Sequence, residues 1–316
     1  MTRNSFMTAF MAAFATTFTT TFRKAAPAHA VRRLPACITA VLLGAAAMVA
    51  VAGTAAAGKG EQMTEETRSP GAFDRILLKG EANVDLRIGT PASLLVRAHR
   101  AGDLRRVETR VVDGRLIVET HLRKGISWRD HTVEVAIVVP RLKEAVVGGA
   151  GDLTLAGLDE KSFSLRIAGA GDATLEGRCG HLDMKVSGAG DVRAGSLVCR
   201  DIRLKLSGAG DVDIPAGEEL EARISGAGDL QLFGPCGRLK LDVSGAGDVN
   251  GRQLRCRQAD IRLSGVGDVS LGIDGPVKVH QTGVGDVTLF GDPQVREIEK
   301  SGVGSFRIHR AAPASR

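Results

Sequence analysis

A tetrapeptide that recurs about every 19 residues constrains this chain more than any other feature. Gly-Ala-Gly-Asp begins at Gly149, Gly169, Gly188, Gly208, Gly226 and Gly245, and Gly-Val-Gly-Asp begins at Gly265 and Gly283. A ninth copy, Gly302–Ser305, has serine in the place of aspartate. Successive copies are 18 to 20 residues apart. A short period sustained over nine copies predicts a solenoid in which each copy forms one turn.

Within each copy, apolar and polar side chains alternate. Counting back from the aspartate, positions −9, −7 and −5 are apolar, as in Leu182, Met184 and Val186. Positions +1 and +3 are mostly apolar as well. A period of two indicates strands, so each copy predicts a strand, a glycine-rich corner, a short strand and a second turn. Stacked copies predict an all-β fold, a parallel β-helix of about nine regular rungs preceded by irregular β rungs.

The glycine-rich corner has two interpretations. Glycines allow positive φ in a tight turn, and the aspartate can accept hydrogen bonds from backbone N–H groups of that turn. The alternative is a cation site, because glycine-rich repeats with aspartates bind calcium in other solenoids. Stacked carboxylates repel one another, so turn N–H groups, bound cations or partial protonation must offset their charge. The candidate cation column comprises Asp172, Asp191, Asp211, Asp229 and Asp248.

Four cysteines follow the first 57 residues, each twelve positions before the next aspartate or its equivalent in the repeat. They therefore occupy one column of the stack, and adjacent rungs place Cα atoms close to the range found in disulfides. We expect bonds, or at least contacts, between Cys179 and Cys199 and between Cys236 and Cys256. Four buried, reduced thiols are the alternative.

Two outward-facing columns carry charge. Position −8 alternates in sign at every rung from Asp183 to Glu297, which favours one register because each residue meets opposite charges above and below. Position −6 is mostly basic, and a solvated face or a face for an acidic polymer such as surface polysaccharide would both explain it. The candidate residues of this basic face are Arg166, Lys185, Lys205, Arg223 and Arg262.

Residues 1–57 differ in composition from the rest of the chain. They contain five basic and no acidic residues, and an apolar run (38–53) is followed by Ala55-Ala56-Ala57. This order is typical of a secretory signal, with cleavage expected near Ala57 and export to the periplasm, outer surface or medium; a retained membrane anchor is the alternative. Without the leader, 37 basic residues face 36 acidic ones, and the formal charge falls from +6 to +1. Near-neutral charge, no Tyr and one Trp argue against nucleic-acid binding.

These patterns divide the chain into five parts. We expect a leader (1–57), a linker (58–70), an N-terminal β segment with the first rungs (71–147), the regular repeat (148–310) and a tail (311–316). Asp113-Gly114 predicts a hairpin turn in the N-terminal segment. Lys300 and Ser305 interrupt the repeat pattern and suggest that the last rung is a cap.

The sequence contains no catalytic constellation. Its six histidines from His99 to His309 do not fall at metal-ligand spacing with cysteine or with one another. The uniform repeat also lacks the long loops that would wall a cleft. We therefore expect a protein that is not an enzyme and uses no cofactor. A carbohydrate-binding or carbohydrate-active β-helix that acts on acidic polysaccharide is the alternative.

Four stretches, taken in order, resemble one bacterial family. They are GAFDRILLKGEANVDLRIG from Gly71, VVDGRLIVET from Val111, VVPRLKEAVVGGAGD ending at Asp152, and the recurrent SGAGDV. Over roughly residues 68–310 the chain resembles the GIN-domain family, DUF2807, also called the autotransporter adhesin head domain. The resemblance implies a right-handed single-stranded β-helix, export to the periplasm or cell surface, and an adhesin-like or scaffolding role. It supplies no catalytic residues, and self-association into a homo-oligomer stays open.

Overall fold

The computed structural model describes residues 63–121 and 133–310. The predicted leader, its cleavage site near Ala57 and the tail lie outside the described residues. Within the described ranges, no helix is both long enough and apolar enough to cross a bilayer.

Twenty strands and one short helix make up the regular structure of the described residues. The N-terminal elements are β1 (Thr64–Arg68), β2 (Arg75–Lys79), β3 (Asn83–Ile88), β4 (Ser93–Ala98), α1 (Ala101–Leu104), β5 (Val107–Val112), β6 (Arg115–Thr120), β7 (Val133–Val139) and β8 (Glu144–Val147). The repeat forms β9 (Leu153–Ile167), β10 (Ala173–Val186), β11 (Val192–Leu206), β12 (Val212–Pro215), β13 (Glu219–Ile224), β14 (Leu230–Val243), β15 (Val249–Leu263), β16 (Val269–Ile273), β17 (Pro276–Gln281), β18 (Val287–Gly291), β19 (Gln294–Lys300) and β20 (Phe306–Arg310).

Parallel pairing joins each turn of the repeat to the next. β9 pairs with β10 and β10 with β11 along almost their whole length, and β14 pairs with β15 in the same way. Where a strand is interrupted, its two parts continue the same stacks; for example, β12 and β13 both lie between β11 and β14. The described chain is therefore a β-solenoid of about nine turns, which confirms the predicted fold class.

The inward side chains form one continuous apolar core. Leu182, Met184 and Val186, the example used above, are all 0% exposed. Their neighbours in the turns above and below cover them, because one rung alone presents a single row of side chains and cannot bury its own inward face. Each fully buried aliphatic side chain contributes roughly 1.5–3 kcal/mol, so the stability of a turn depends on the turns beside it.

The N-terminal segment adds an earlier turn and then closes the stack. β2 and β3 pair in parallel with β8 and β9, and β6 and β7 lie on their other side. Antiparallel strands β5, β4 and β1 complete this end of the sheet. The predicted hairpin turn joins β5 to β6, with φ of 50° at Asp113 and 71° at Gly114.

Part of the segment predicted to be a linker (58–70) is a strand. β1 pairs antiparallel with β4 from Thr64 opposite Ala98 to Arg68 opposite Leu94. Four of its five side chains are exposed, so the sequence TEETR has none of the apolar alternation that predicts strands. Backbone pairing holds it instead, together with the Arg68 guanidinium, which donates a hydrogen bond to the carbonyl oxygen of Leu104 at 2.9 Å. The linker prediction is therefore wrong for Thr64–Arg68.

Candidate functional site

The glycine-rich corners stack so closely that no side chain fits between them. A Cβ placed on Gly208 would lie 1.8 Å from the carbonyl oxygen of Gly188, and one on Gly210 would lie 2.1 Å from that of Gly190. Positive φ occurs at Gly267, Gly285 and Gly304 but at no glycine of the six Gly-Ala-Gly-Asp corners. The predicted positive φ is therefore wrong for those six corners. Glycine is required there because the backbones of adjacent turns approach each other.

Backbone hydrogen bonds hold the corners in register. The N–H of Ala209 donates to the carbonyl oxygen of Gly188 at 3.0 Å, and the N–H of Ala227 donates to that of Gly208 at 2.9 Å. The same bond recurs along the column, with valine in the place of alanine in the last corners. The corner is thus a third line of pairing between turns, beside the strands that flank it.

The aspartates form a hydrogen-bonded ladder. Oδ1 of Asp211 accepts from the backbone N–H of Asp229 at 2.9 Å, and Oδ1 of Asp229 accepts from that of Asp248 at 2.8 Å. Each carboxylate bonds to the following turn, so the prediction that it bonds to its own turn is wrong. The aspartates that accept this bond, at 2.7–3.0 Å, are Asp152, Asp172, Asp191, Asp211, Asp229, Asp248, Asp268 and Asp286.

Different residues occupy the two ends of the ladder. Oδ1 of Asn83 accepts from the N–H of Asp152 at 3.1 Å, and the N–H of Ser305 donates to Oδ1 of Asp286 at 2.7 Å. Sequence reasoning missed Asn83, because an interval of 69 residues separates it from Asp152. A local signal was available: GEANV at Gly80 has the same pattern of small, small and amide or acid residues as GAGDL at Gly149.

The ladder offsets much of the repulsion within the column. A carboxylate that accepts a backbone N–H favours its charged form, and the pKa of Asp286 is lowered chiefly by the backbone N–H of Ser305. Arg193 donates to Oδ2 of Asp172 at 3.0 Å and lies 3.5 Å from Oδ2 of Asp191, and the bond to Asp172 raises the pKa of Arg193. The cation-binding alternative for this column stays a prediction.

A groove of about 520 Å³ runs beside the aspartates of four successive turns. Arg193, Asp213, Gln231 and Asn250, at position +2 of those turns, also line it. Carboxylate, amide and guanidinium groups therefore alternate along one wall, a donor and acceptor set suited to a hydroxyl-rich or charged ligand.

The second outward surface carries the alternating column, in the predicted register. Asp183 pairs with Arg203, which pairs with Glu221 on the next strand, and the sequence continues to Lys278 opposite Glu297. Glu221 contacts both charged neighbours, with Arg203 at 3.6 Å and Lys240 at 3.5 Å. Exposed ion pairs of this kind contribute at most about 1 kcal/mol each, so they select register more than they add stability.

The predicted basic face is only partly available to a ligand. All five candidates lie in one column, but three have acidic partners: Arg166 with Glu144 at 2.7 Å, Arg223 with Glu221 at 2.8 Å and Arg262 with Asp260 at 3.8 Å. Lys185 and Lys205 lie on adjacent strands, and within the described ranges neither has an acidic group within 4 Å. The free positive charge of this surface is therefore concentrated at these two lysines.

The four cysteines are paired across adjacent turns. Cys179 is joined to Cys199 and Cys236 to Cys256, with Cα atoms 4.5 Å and 4.2 Å apart. Gly217 follows in the turn between the two pairs, where a Cβ would lie 2.3 Å from the carbonyl oxygen of Cys199. Each disulfide ties one turn to the next on a side of the rod away from the aspartate corners.

One histidine and two glutamates meet near the C-terminal end. Ligand atoms of His280, Glu297 and Glu299 lie within 4.8 Å of one another, a separation that a divalent metal ion could bridge. Nδ1 of His280 is 3.1 Å from Glu299, and Lys278 donates to Glu297 at 2.7 Å and lowers its pKa. These contacts already satisfy the cluster as ion pairs. Sequence spacing could not reveal it, because the residues come from two neighbouring turns.

The sequence model of the family described as "Putative auto-transporter adhesin, head GIN domain" (DUF2807) matches residues 72–234 and 216–293. The chain belongs to this family. The predicted family resemblance is thereby confirmed. The comparison with curated proteins gave no match.

Solved structures of low sequence identity share the fold of this GIN-domain protein. A protein from Parabacteroides merdae titled "putative adhesin" is 16% identical, with a TM-score of 0.58 over 81% of this chain and 98% of the other. A "putative lipid binding protein" from Parabacteroides distasonis is 17% identical, with a TM-score of 0.57 over 79% and 97%. At such identities the likeness establishes the fold alone.

Proposed function

We propose that this GIN-domain protein is a non-enzymatic protein of the cell envelope or surface that binds through the side of its rod, as an adhesin or scaffold. The observation that carries the proposal is the unbroken register of the outward columns over successive turns. A repeated, rigid surface of this kind suits a repetitive ligand, since each turn can contribute an equivalent weak contact. The family's description as an adhesin head agrees with this role.

Export is part of the proposal. The basic, apolar and small-residue order of the leader favours a cleaved secretory signal, and paired cysteines favour an oxidising compartment. N-terminal sequencing of the protein recovered from the producing cells tests this, and a chain that begins near Gly58 is expected. Recovery from the cytosol with residues 1–57 intact would contradict export.

Lys185 and Lys205 are the proposed contacts for an acidic polysaccharide. Both are exposed, both are free of acidic partners, and Arg166 and Arg223 extend the same column on either side of them. A polyanion with regularly spaced carboxylates would gain several such contacts at once, and salt would weaken each of them.

A binding assay on immobilised polygalacturonate or alginate at low salt tests this face. Lys185→Glu/Lys205→Glu should abolish retention, whereas the matched control Lys79→Glu/Lys161→Glu, which has the same change in net charge at two exposed lysines, should preserve it. Equal retention of both variants would reject the face. Analysis of the polymer after incubation distinguishes binding from cleavage, and shortened chains would favour the enzymatic alternative.

A further inference from the structure

The last turn of the rod presents an uncovered end. β19 pairs only with β17 and β20 only with β18 in the described part of the chain, so the outer backbone edge of each faces away from the stack. Ile298 is 46% exposed, whereas Val279, directly beneath it in the register, is 0% exposed. Val295, Phe306 and Ile308 are likewise only partly buried.

The N-terminal end is built differently. Antiparallel strands close it, and apolar residues near it are covered, with Leu104 5% and Val107 3% exposed. Its edge strand β1 carries the exposed acids Glu65 and Glu66. Charged edge strands discourage pairing with another chain, so a head-to-tail contact between rods would place charges against the apolar C-terminal end.

We propose that a second copy of this chain covers the C-terminal end, and that the protein forms a tail-to-tail dimer. A two-fold axis through the last corner, perpendicular to the rod, would set β19 of one copy antiparallel to β20 of the other. Both open backbone edges would then be paired, and the apolar residues of the two last turns would pack together. A two-fold contact closes on itself and leads to a dimer rather than a fibre.

Charge complementarity favours this arrangement over other occupants. The outward side chains of β19 are acidic at Glu297 and Glu299, and those of β20 are basic at Arg307, with His309 in the same row. Pairing β19 with β20 of the partner copy places these acids beside these bases on both sides of the axis. The proposal is independent of the polysaccharide face, because that face lies along the side of the rod.

Sedimentation analysis of the purified protein over a range of concentrations tests the dimer. The protein should sediment with twice the mass of one chain. Ile298→Lys should raise the dissociation constant roughly 100-fold, because dimerisation would bury an unpaired charge, while circular dichroism remains that of the wild type. Val198→Lys is the matched control, since Val198 is also exposed, at 67%, but lies in the middle of the rod; it should leave the dimer unchanged.

A charge exchange provides a second test that does not depend on the apolar end. Glu299→Arg and Arg307→Glu should each weaken the dimer about tenfold, and the double variant should restore it. A monomer at every concentration would overturn the proposal. So would a dimer that Ile298→Lys leaves intact, or one that Val198→Lys disrupts equally.

Discussion

Replacing Gly208 tests whether close stacking, rather than backbone conformation, requires the corner glycines. The Cβ of alanine would lie 1.8 Å from the carbonyl oxygen of Gly188, whereas these atoms normally stay more than about 3 Å apart. The two turns must therefore separate locally by about 1 Å, where adjacent strands lie ~4.8 Å apart. That displacement stretches the 3.0 Å bond from the Ala209 N–H to Gly188.

The expected loss follows from these two effects. Overpacking of this kind costs ~1–3 kcal/mol, and a weakened backbone hydrogen bond adds about 1 kcal/mol. A total of about 2–4 kcal/mol lowers the melting temperature of a domain of this size by roughly 5–15 °C. Thermal unfolding followed by circular dichroism measures it for Gly208→Ala and Gly208→Asn, and the larger asparagine should be at least as harmful as alanine.

Gly114 is the matched control, because it has the opposite requirement. Its φ is 71°, and the nearest atom to an added Cβ is a guanidinium nitrogen of Arg75 at 3.6 Å. Space is available there and only the left-handed conformation is costly, at ~1–2 kcal/mol for alanine and less for asparagine. Gly114→Asn should therefore be milder than Gly114→Ala. The same ranking at Gly208, or a melting temperature unchanged by Gly208→Ala, would refute the stacking argument.

Three further predictions concern the ladder, acid stability and the disulfides. Asp229→Ala should cost about 1 kcal/mol in urea unfolding because the N–H of Asp248 loses its acceptor, whereas Asp229→Asn keeps an acceptor oxygen and should cost less than half of that. The pKa of Asp286 is lowered in the folded protein, chiefly by the backbone N–H of Ser305, so its contribution to stability is present above the unfolded pKa near 4 and lost as pH falls through the folded value; melting temperatures should drop on acidification below about pH 4, and a flat profile would contradict this. Thiol labelling of the denatured, unreduced protein should find no free cysteine outside the leader, and serine at both positions of one pair should cost about 3 kcal/mol, because each disulfide spans 20 residues.

The regular turns were predictable because two periods coincide in them. The alternation of Leu182, Met184 and Val186 fixes which side of a strand is buried, and the constant interval between aspartates fixes which residues of successive turns are neighbours. Together they place every residue of the repeat in a column. The cysteine pairs and the alternating charges follow from the same interval, without any knowledge of the corner's conformation.

Features outside the repeat could not be found in this way. β1 is polar and exposed, and a strand held only by backbone pairing leaves no alternation in the sequence. Asn83 joins the ladder from a segment that lies 69 residues before its neighbour Asp152. The difference between Lys185, which is free, and Arg223, which Glu221 binds, depends on how side chains of several turns are oriented. A column of like residues predicts their proximity but not their partners.

The corner has two forms, and the residue between its glycines distinguishes them. In the corners with alanine, neither glycine has positive φ. In the three corners with valine, Val266, Val284 and Val303 form parallel bridges with one another, and the following glycines have φ between 135° and 150°. A β-branched residue favours extended backbone, and the bridge redirects the next N–H: that of Gly267 donates to Val284 on the following turn. In the alanine corners the corresponding N–H either points back to the preceding turn, as Gly171 does to Gly149, or makes no such bond. The second glycine therefore meets two requirements, close approach in every corner and positive φ only after valine, and this explains why the repeat keeps glycine there while its neighbour varies.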